Sequence, residues 1–223
     1  MDERVRQARL LYEQAVYGGD ASALAEADRT LDAAEADLCV ARGRIMHTRF
    51  LLNRDADPGS AQEEPGELEL FERAARLYRA VGDEQGEAAA LFWIGCFHQV
   101  IRRDRDTAVP ALERSLALAS QAQDLSTASE ALRHLGIDAH AAGRFDQARQ
   151  RLEESTRLRR EAGQMPGAAF NMIGLAYIAA AQQRHDDALA LLDEAGAIAK
   201  AAGATRVQQS VDQARAELSE PAN

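Results

Sequence analysis

Small and apolar positions recur along this chain at a spacing of forty residues. Ala108, Ala148 and Ala188 are each followed four residues later by a leucine, Leu112, Leu152 and Leu192. An acid follows at once (Glu113, Glu153, Asp193), and a further apolar residue comes six places after the leucine (Leu118, Leu158, Ile198). The stretches close near Gln123, Gly163 and Gly203, and upstream Phe71, Ala74, Leu77 and Gly82 fit the same template with a slip of one residue. A fixed period in this range is the mark of a helical repeat, in which each unit needs its neighbour to bury its apolar face.

Each unit reads as two helices, A then B. Helix A recurs around residues 90–102, 128–142 and 168–182, with cores LFWIG, LRHLG and MIGLA. Gly95 and Gly136 align within it, and a glycine there lets helix B approach closely enough to outweigh a helical cost of about 1 kcal/mol. Helix B follows a short polar turn such as AAGRFD or AQQRHD. Pro166 and Pro110 fall in or near first helical turns, where a missing N–H does little harm.

The N-terminal part follows the scheme less regularly. Residues 4–17 and 21–36 predict two helices separated by Gly18-Gly19-Asp20, and residues 38–53 a third, with Gly43 in the glycine place. From Gly43 to Gly95 is 52 residues, and the surplus falls in DADPGSAQEEPGE, rich in proline, glycine and acid, which predicts a surface loop inserted in a repeat. Thr205 to Leu218 is a more polar helix suited to cap an open end, and the final SEPAN is expected to fray. Domain organisation is therefore expected to be one helical-repeat domain over 1–223. Its parts are N-terminal helices at 1–36, a repeat at 37–82 with the insertion at 54–66, regular repeats at 83–123, 124–163 and 164–203, and a cap at 204–218.

Leu132, Leu135, Gly136, Gly143, Phe145 and Ala148 have the spacing of tetratricopeptide repeats, and the chain resembles that family from about residue 37 to residue 203. With forty residues per unit in place of the usual 34, it looks like the longer-helix variety found in bacterial regulators and kinesin-light-chain-type arrays. The resemblance implies an all-α fold, a right-handed α-α superhelix of about eleven antiparallel helices, whose A helices line a concave groove. Carried over position by position, the groove-facing places are Arg44 and His47 in the first helix A, then Phe92 or Trp93, Cys96 and Gln99. They continue with Glu130, Arg133, Ile137 and His140, then Phe170, Ile173 and Tyr177. The third copy can be registered on Gly174, which suits Tyr177, or on Ala176, which suits Ala188. Thirteen residues separate Gly95 from Ala108 but twelve separate Gly136 from Ala148.

Composition narrows the functional classes. Hydrophobic residues make up 46% but aromatics only 5%, as suits alanine-rich, closely packed helices. The formal charge of −10 argues against nucleic acid as a partner. Lys200 is the one lysine among 26 basic residues, a bias that suits a high-GC bacterial genome. Cys39 and Cys96 stand alone in helical patterns and read as reduced, buried small hydrophobes. The N-terminus lacks a signal-peptide core, and no apolar run reaches the roughly 18 residues of a membrane span. A cytoplasmic protein with no membrane partner is expected.

No phosphate loop, dinucleotide fingerprint, HExxH or GxSxG elbow is present, so no catalytic, metal or cofactor residue is assigned. Trp93, Phe92 and Phe97 are also readable as inter-helix core, and the histidines as solvated or core imidazoles; no histidine pair has the i, i+4 spacing of a metal-binding helix. Arg102, Arg103 and Arg105, and Arg157, Arg159 and Arg160, lie near helix ends and read first as structural. The expectation is a non-enzymatic scaffold holding a protein or peptide on Arg44, His47, Trp93, Gln99, Glu130, Arg133, His140 and Tyr177. A small-molecule binder or unusual enzyme using the same groove is the alternative, and a homodimer filling that groove is a third.

Overall fold

The computed structural model describes residues 2–57, 59 and 61–219. Among them are ten α-helices and no strand. They are α1 (Glu3–Gly18), α2 (Ser22–Ala56), α3 (Glu67–Val81), α4 (Glu84–Phe97), α5 (Arg105–Gln121), α6 (Leu125–Ala141), α7 (Phe145–Glu161), α8 (Met165–Ala181), α9 (His185–Ala201) and α10 (Thr205–Ser219). A π-helical turn, His98–Arg102, continues α4. The fold is all-α, with helices packed on their neighbours in sequence. Residues 220–223 of the expected fraying tail, and Pro58 and Ser60 of the expected insertion, lie outside the described residues.

The chain divides into two compact units, Met1–Leu118 and Ala119–Asn223. In the first, α2 packs on α1 and α3, and α3 on α4. The two helices expected over 21–36 and 38–53 are one helix of 35 residues. No glycine or proline interrupts the join, and Asp37, which could have capped a second helix, instead takes Arg4 from α1 and the Tyr78 hydroxyl from α3. In the second unit α6 packs on α7, α7 on α8, α8 on α9, and α10 on both α8 and α9.

Local chemistry sets the helix starts. Asp83 accepts the Gly86 N–H at 2.8 Å, and Asp124 accepts those of Ser126 and Thr127 at 3.1 Å, so each aspartate satisfies N–H groups that have no helical partner. The turns between helices each place one residue at positive φ, supplied by Gly82, Gly143, Gly163 and Gly203 but also by Arg103, Gln123 and Gln183.

The glycine positions do what their spacing predicts. A Cβ on Gly95 would lie 2.6 Å from Leu112 Cγ and 3.2 Å from the Ala108 carbonyl oxygen; on Gly136 it would lie 3.0 Å from Leu152 Cγ. The odd thirteen-residue interval between Gly95 and Ala108 has a physical cause: the π turn at 98–102 inserts one residue between the two helices. The same extra residue separates two equivalent hydrogen bonds, from the Ser115 hydroxyl to the Ala88 carbonyl across 27 positions and from Ser155 to Ser129 across 26. The open register of α8 is decided as well. Ala176 is fully buried in one cluster with Ala188 and Leu192, whereas Gly174 faces Leu152 of the preceding helix. Ala176 therefore takes the Gly136 place, and Tyr177 the place of Ile137.

Candidate functional site

In the first unit, the sequence-selected residues Arg44, His47 and Trp93 come together. The Arg44 guanidinium carbon lies 5.5 Å from the centre of the Trp93 ring, within the range of a cation–π contact. The imidazole of His47 meets the same ring edge-on at 5.5 Å, and Phe71 stacks on it at 5.7 Å. Arg44 is exposed and Trp93 half-buried, so the outer edge of this stack faces solvent. Gln99 sits further along, in the π turn, and is half-buried.

His47 also belongs to a buried chain of polar groups that position alone did not reveal. Its Nδ1 lies 2.8 Å from Glu67 Oε1, and its Nε2 lies 3.6 Å from Cys96 Sγ. Thiol, imidazole and carboxylate stand in the order of a nucleophile, its base and an orienting group. All three side chains are buried, and none lines the neighbouring cleft. Glu67 was missed because an acid opening a helix after Pro65-Gly66 reads as a solvated first-turn charge; nothing local marks it as enclosed. Cys39 and Cys96 are both buried and unbridged by a disulfide, as their isolation predicts.

That cleft, about 860 Å³, lies between α2 and α3. Its walls carry Arg42, Arg49, Arg73 and Arg76 beside Glu64, Glu69 and Glu72, with Ile45, Met46 and Leu70 between them. Arg102 reaches back to the loop before α3 and pairs with Glu63 at 2.8 Å, which holds that carboxyl below its ordinary range.

In the second unit, α6, α8 and α10 form a separate surface. Arg133 of α6 lies with its guanidinium carbon 4.3 Å from the Phe170 ring centre and donates to Asn171 Oδ1 at 3.2 Å. Asn171 is fully buried and donates in turn to Ser155, which bonds the Ser129 carbonyl. This chain of bonds runs from a half-buried arginine into the core and fixes where the guanidinium stands. Ile137, one turn beyond Arg133, is 40% exposed. Tyr177 of α8 donates to Glu217 of α10 at 2.6 Å. Burial first, then this hydrogen bond and the nearby charge, push its hydroxyl up to about 12.

Two of the selected residues have structural partners here. Glu130 pairs with Arg159 at 2.6 Å; burial pulls the Arg159 guanidinium downward and Glu130 opposes that. His140 meets the Phe145 ring at 5.5 Å, where α6 turns into α7. Among the described residues no group of three His, Cys, Asp or Glu is arranged to hold a metal ion, and no helix is long and apolar enough to cross a membrane.

No protein-family model matches the sequence, and no curated protein matches it either. Solved structures do. The crystal structure of BtubC (BKLC) from P. vanneervenii superposes with a TM-score of 0.52 at 17% identity, over 90% of this chain and 89% of that one. The likeness is one of fold: an all-helical, repeat-like architecture.

Proposed function

We propose that the chain is a tetratricopeptide-like, cytoplasmic interaction scaffold that binds a protein or peptide segment and performs no chemistry of its own. The observation that carries this reading is the surface on α6 and α8. There an arginine held by a buried hydrogen-bond chain lies over Phe170, beside exposed Ile137 and half-exposed Tyr177. Arginine and aromatic side chains fixed in place and bordered by apolar surface are the usual anchors of a protein interface, because little rotamer entropy is lost on binding. The outward edge of the Arg44–Trp93 stack offers the same chemistry in the first unit.

The test is to isolate the chain with its partner from its own host and repeat the isolation with Arg133→Ala and Tyr177→Ala together. The partner is expected to be lost while far-UV helicity stays at the wild-type level. Full retention of the partner by an intact variant overturns this choice of surface.

A further inference from the structure

The longest helix carries an apolar ridge that stays exposed among the described residues. Leu24, Leu31, Leu38, Ile45 and Leu52 follow one another along α2 at intervals of seven, and they are 46%, 42%, 70%, 56% and 53% exposed. A strict seven-residue apolar repeat is the pattern of a helix that packs along its length against another helix, because seven residues bring a side chain back to within about 20° of the same face. Monomeric soluble proteins rarely leave a continuous apolar patch above about 300–600 Å² uncovered. Thirty-five residues of helix span about 52 Å, long enough for a helix-on-helix contact along the whole ridge.

The charges beside the ridge identify the occupant. Four residues after each of the first four ridge positions stand Asp28, Glu35, Arg42 and Arg49, so the flank is acidic in its first half and basic in its second. A second copy of α2 laid antiparallel, with the two-fold axis near Leu38, brings Asp28 opposite Arg49 and Glu35 opposite Arg42 of that copy. The pairing repeats across the axis, since an isologous interface presents every contact twice. A parallel copy instead sets acidic half beside acidic half. Inside one chain Glu35 also meets Arg73, and Arg49 meets Glu64 at 3.7 Å, both on the solvent side, while Asp28 and Arg42 stay exposed. The opposite flank is closed to a partner over its first half, because Ala27 and Ala34 are buried and Arg4 of α1 takes Asp37.

We propose that the chain forms a two-fold antiparallel homodimer through the Leu24–Leu31–Leu38–Ile45–Leu52 ridge of α2. This surface is distinct from the one on α6 and α8, so the dimer and the scaffold reading stand or fall separately.

Sedimentation of the full chain at micromolar concentration tests it. Wild type is expected to sediment at twice the 24.2 kDa chain mass. Leu38→Glu with Ile45→Glu is expected to sediment at the single-chain mass with unchanged helicity. Two charge variants, Arg42→Glu with Arg49→Glu and Asp28→Arg with Glu35→Arg, should each weaken self-association at least tenfold, and mixing the two should restore the dimer mass. The charge pair keeps the test valid if the ridge variant misfolds. A monomeric wild type, a dimer that survives the ridge substitutions, a mixture that fails to recover, or a single chain whose ridge is covered by a different protein would each overturn the proposal.

Discussion

The α1–α2 hairpin and the α6–α9 repeats are built from the same residue types and use them in opposite phase. In the repeats, alanine sets the closest helix contacts and the large residues fill the space beside them: Leu152, Met172, Ile178 and Leu192 are all buried. In the hairpin, Ala8, Ala23, Ala27 and Ala34 are again buried, but many large residues of α1 and α2 point outward, Leu10, Val16 and Tyr17 among them, while Phe50 is enclosed. Alanine contacts bring helices close and bury little apolar area, whereas each enclosed leucine adds about 1.5–3 kcal/mol. The repeats thus enclose most of their large side chains, with Ile137 of α6 left 40% exposed. The hairpin leaves a row of large apolar side chains exposed along α2.

The sharpest way to break this comparison is to truncate one leucine from each region. Leu192→Ala, fully buried, should cost about 2–5 kcal/mol in urea unfolding. Leu38→Ala, 70% exposed, should change the stability of the dilute single chain by no more than about 0.5 kcal/mol. Equal losses would mean that the α2 ridge is internal to the fold after all.

Next in size are the close approaches that hold the helix pairs together. Gly95→Ala should destabilise by about 1–3 kcal/mol, since the new methyl meets both Leu112 and backbone. Gly136→Ala, with 3.0 Å to a leucine and 3.4 Å to the Ala148 carbonyl, should cost less. A reversed order in thermal or chemical unfolding would show that the π turn beside Gly95 gives way more readily than the straight helix beside Gly136.

A gain is expected at one turn. Gln183 holds φ of 62° in the place where Gly143 serves the preceding unit. Relieving that left-handed strain with Gln183→Gly should stabilise the fold by up to about 1 kcal/mol, read from the unfolding midpoint.

The last effect is seen only in alkali. Tyr177 ionises near 12 in the fold but near its ordinary value of about 10 when unfolded. Its contribution is intact below about 10 and is lost progressively between about 10 and 12, because the unfolded chain gives up the proton first. Tyr177→Phe should flatten that part of the stability profile and remove a late phase from the ultraviolet tyrosine titration. A wild-type profile with no such loss would place Glu217 out of reach of the hydroxyl.

Much of this was legible in the residues themselves. The forty-residue recurrence of Ala108, Ala148 and Ala188 located the helix pairs, and the glycine four places after Leu91 and Leu132 located the close contacts. Even the extra residue between Gly95 and Ala108 was visible, though its form as a π turn needed the backbone. Among the site residues, Arg44, His47 and Trp93 meet because α2 and α4 pack on one another. Glu67 could not be foreseen, since its burial depends on α2 and α4 closing over the start of α3. The ridge on α2 is a different case. Its seven-residue spacing lies open in the sequence, but apolar spacing is the same for a covered face and a bare one, and only tertiary packing distinguishes them.

The proposed function turns on α6 and α8 forming a surface for another protein. A photo-crosslinking amino acid placed at Ile137, with a control at exposed Glu153 on α7, tests this directly in the living host. A discrete covalent adduct to a second protein is expected from position 137 and none from 153. No adduct at 137, or equal adducts at both, would contradict it.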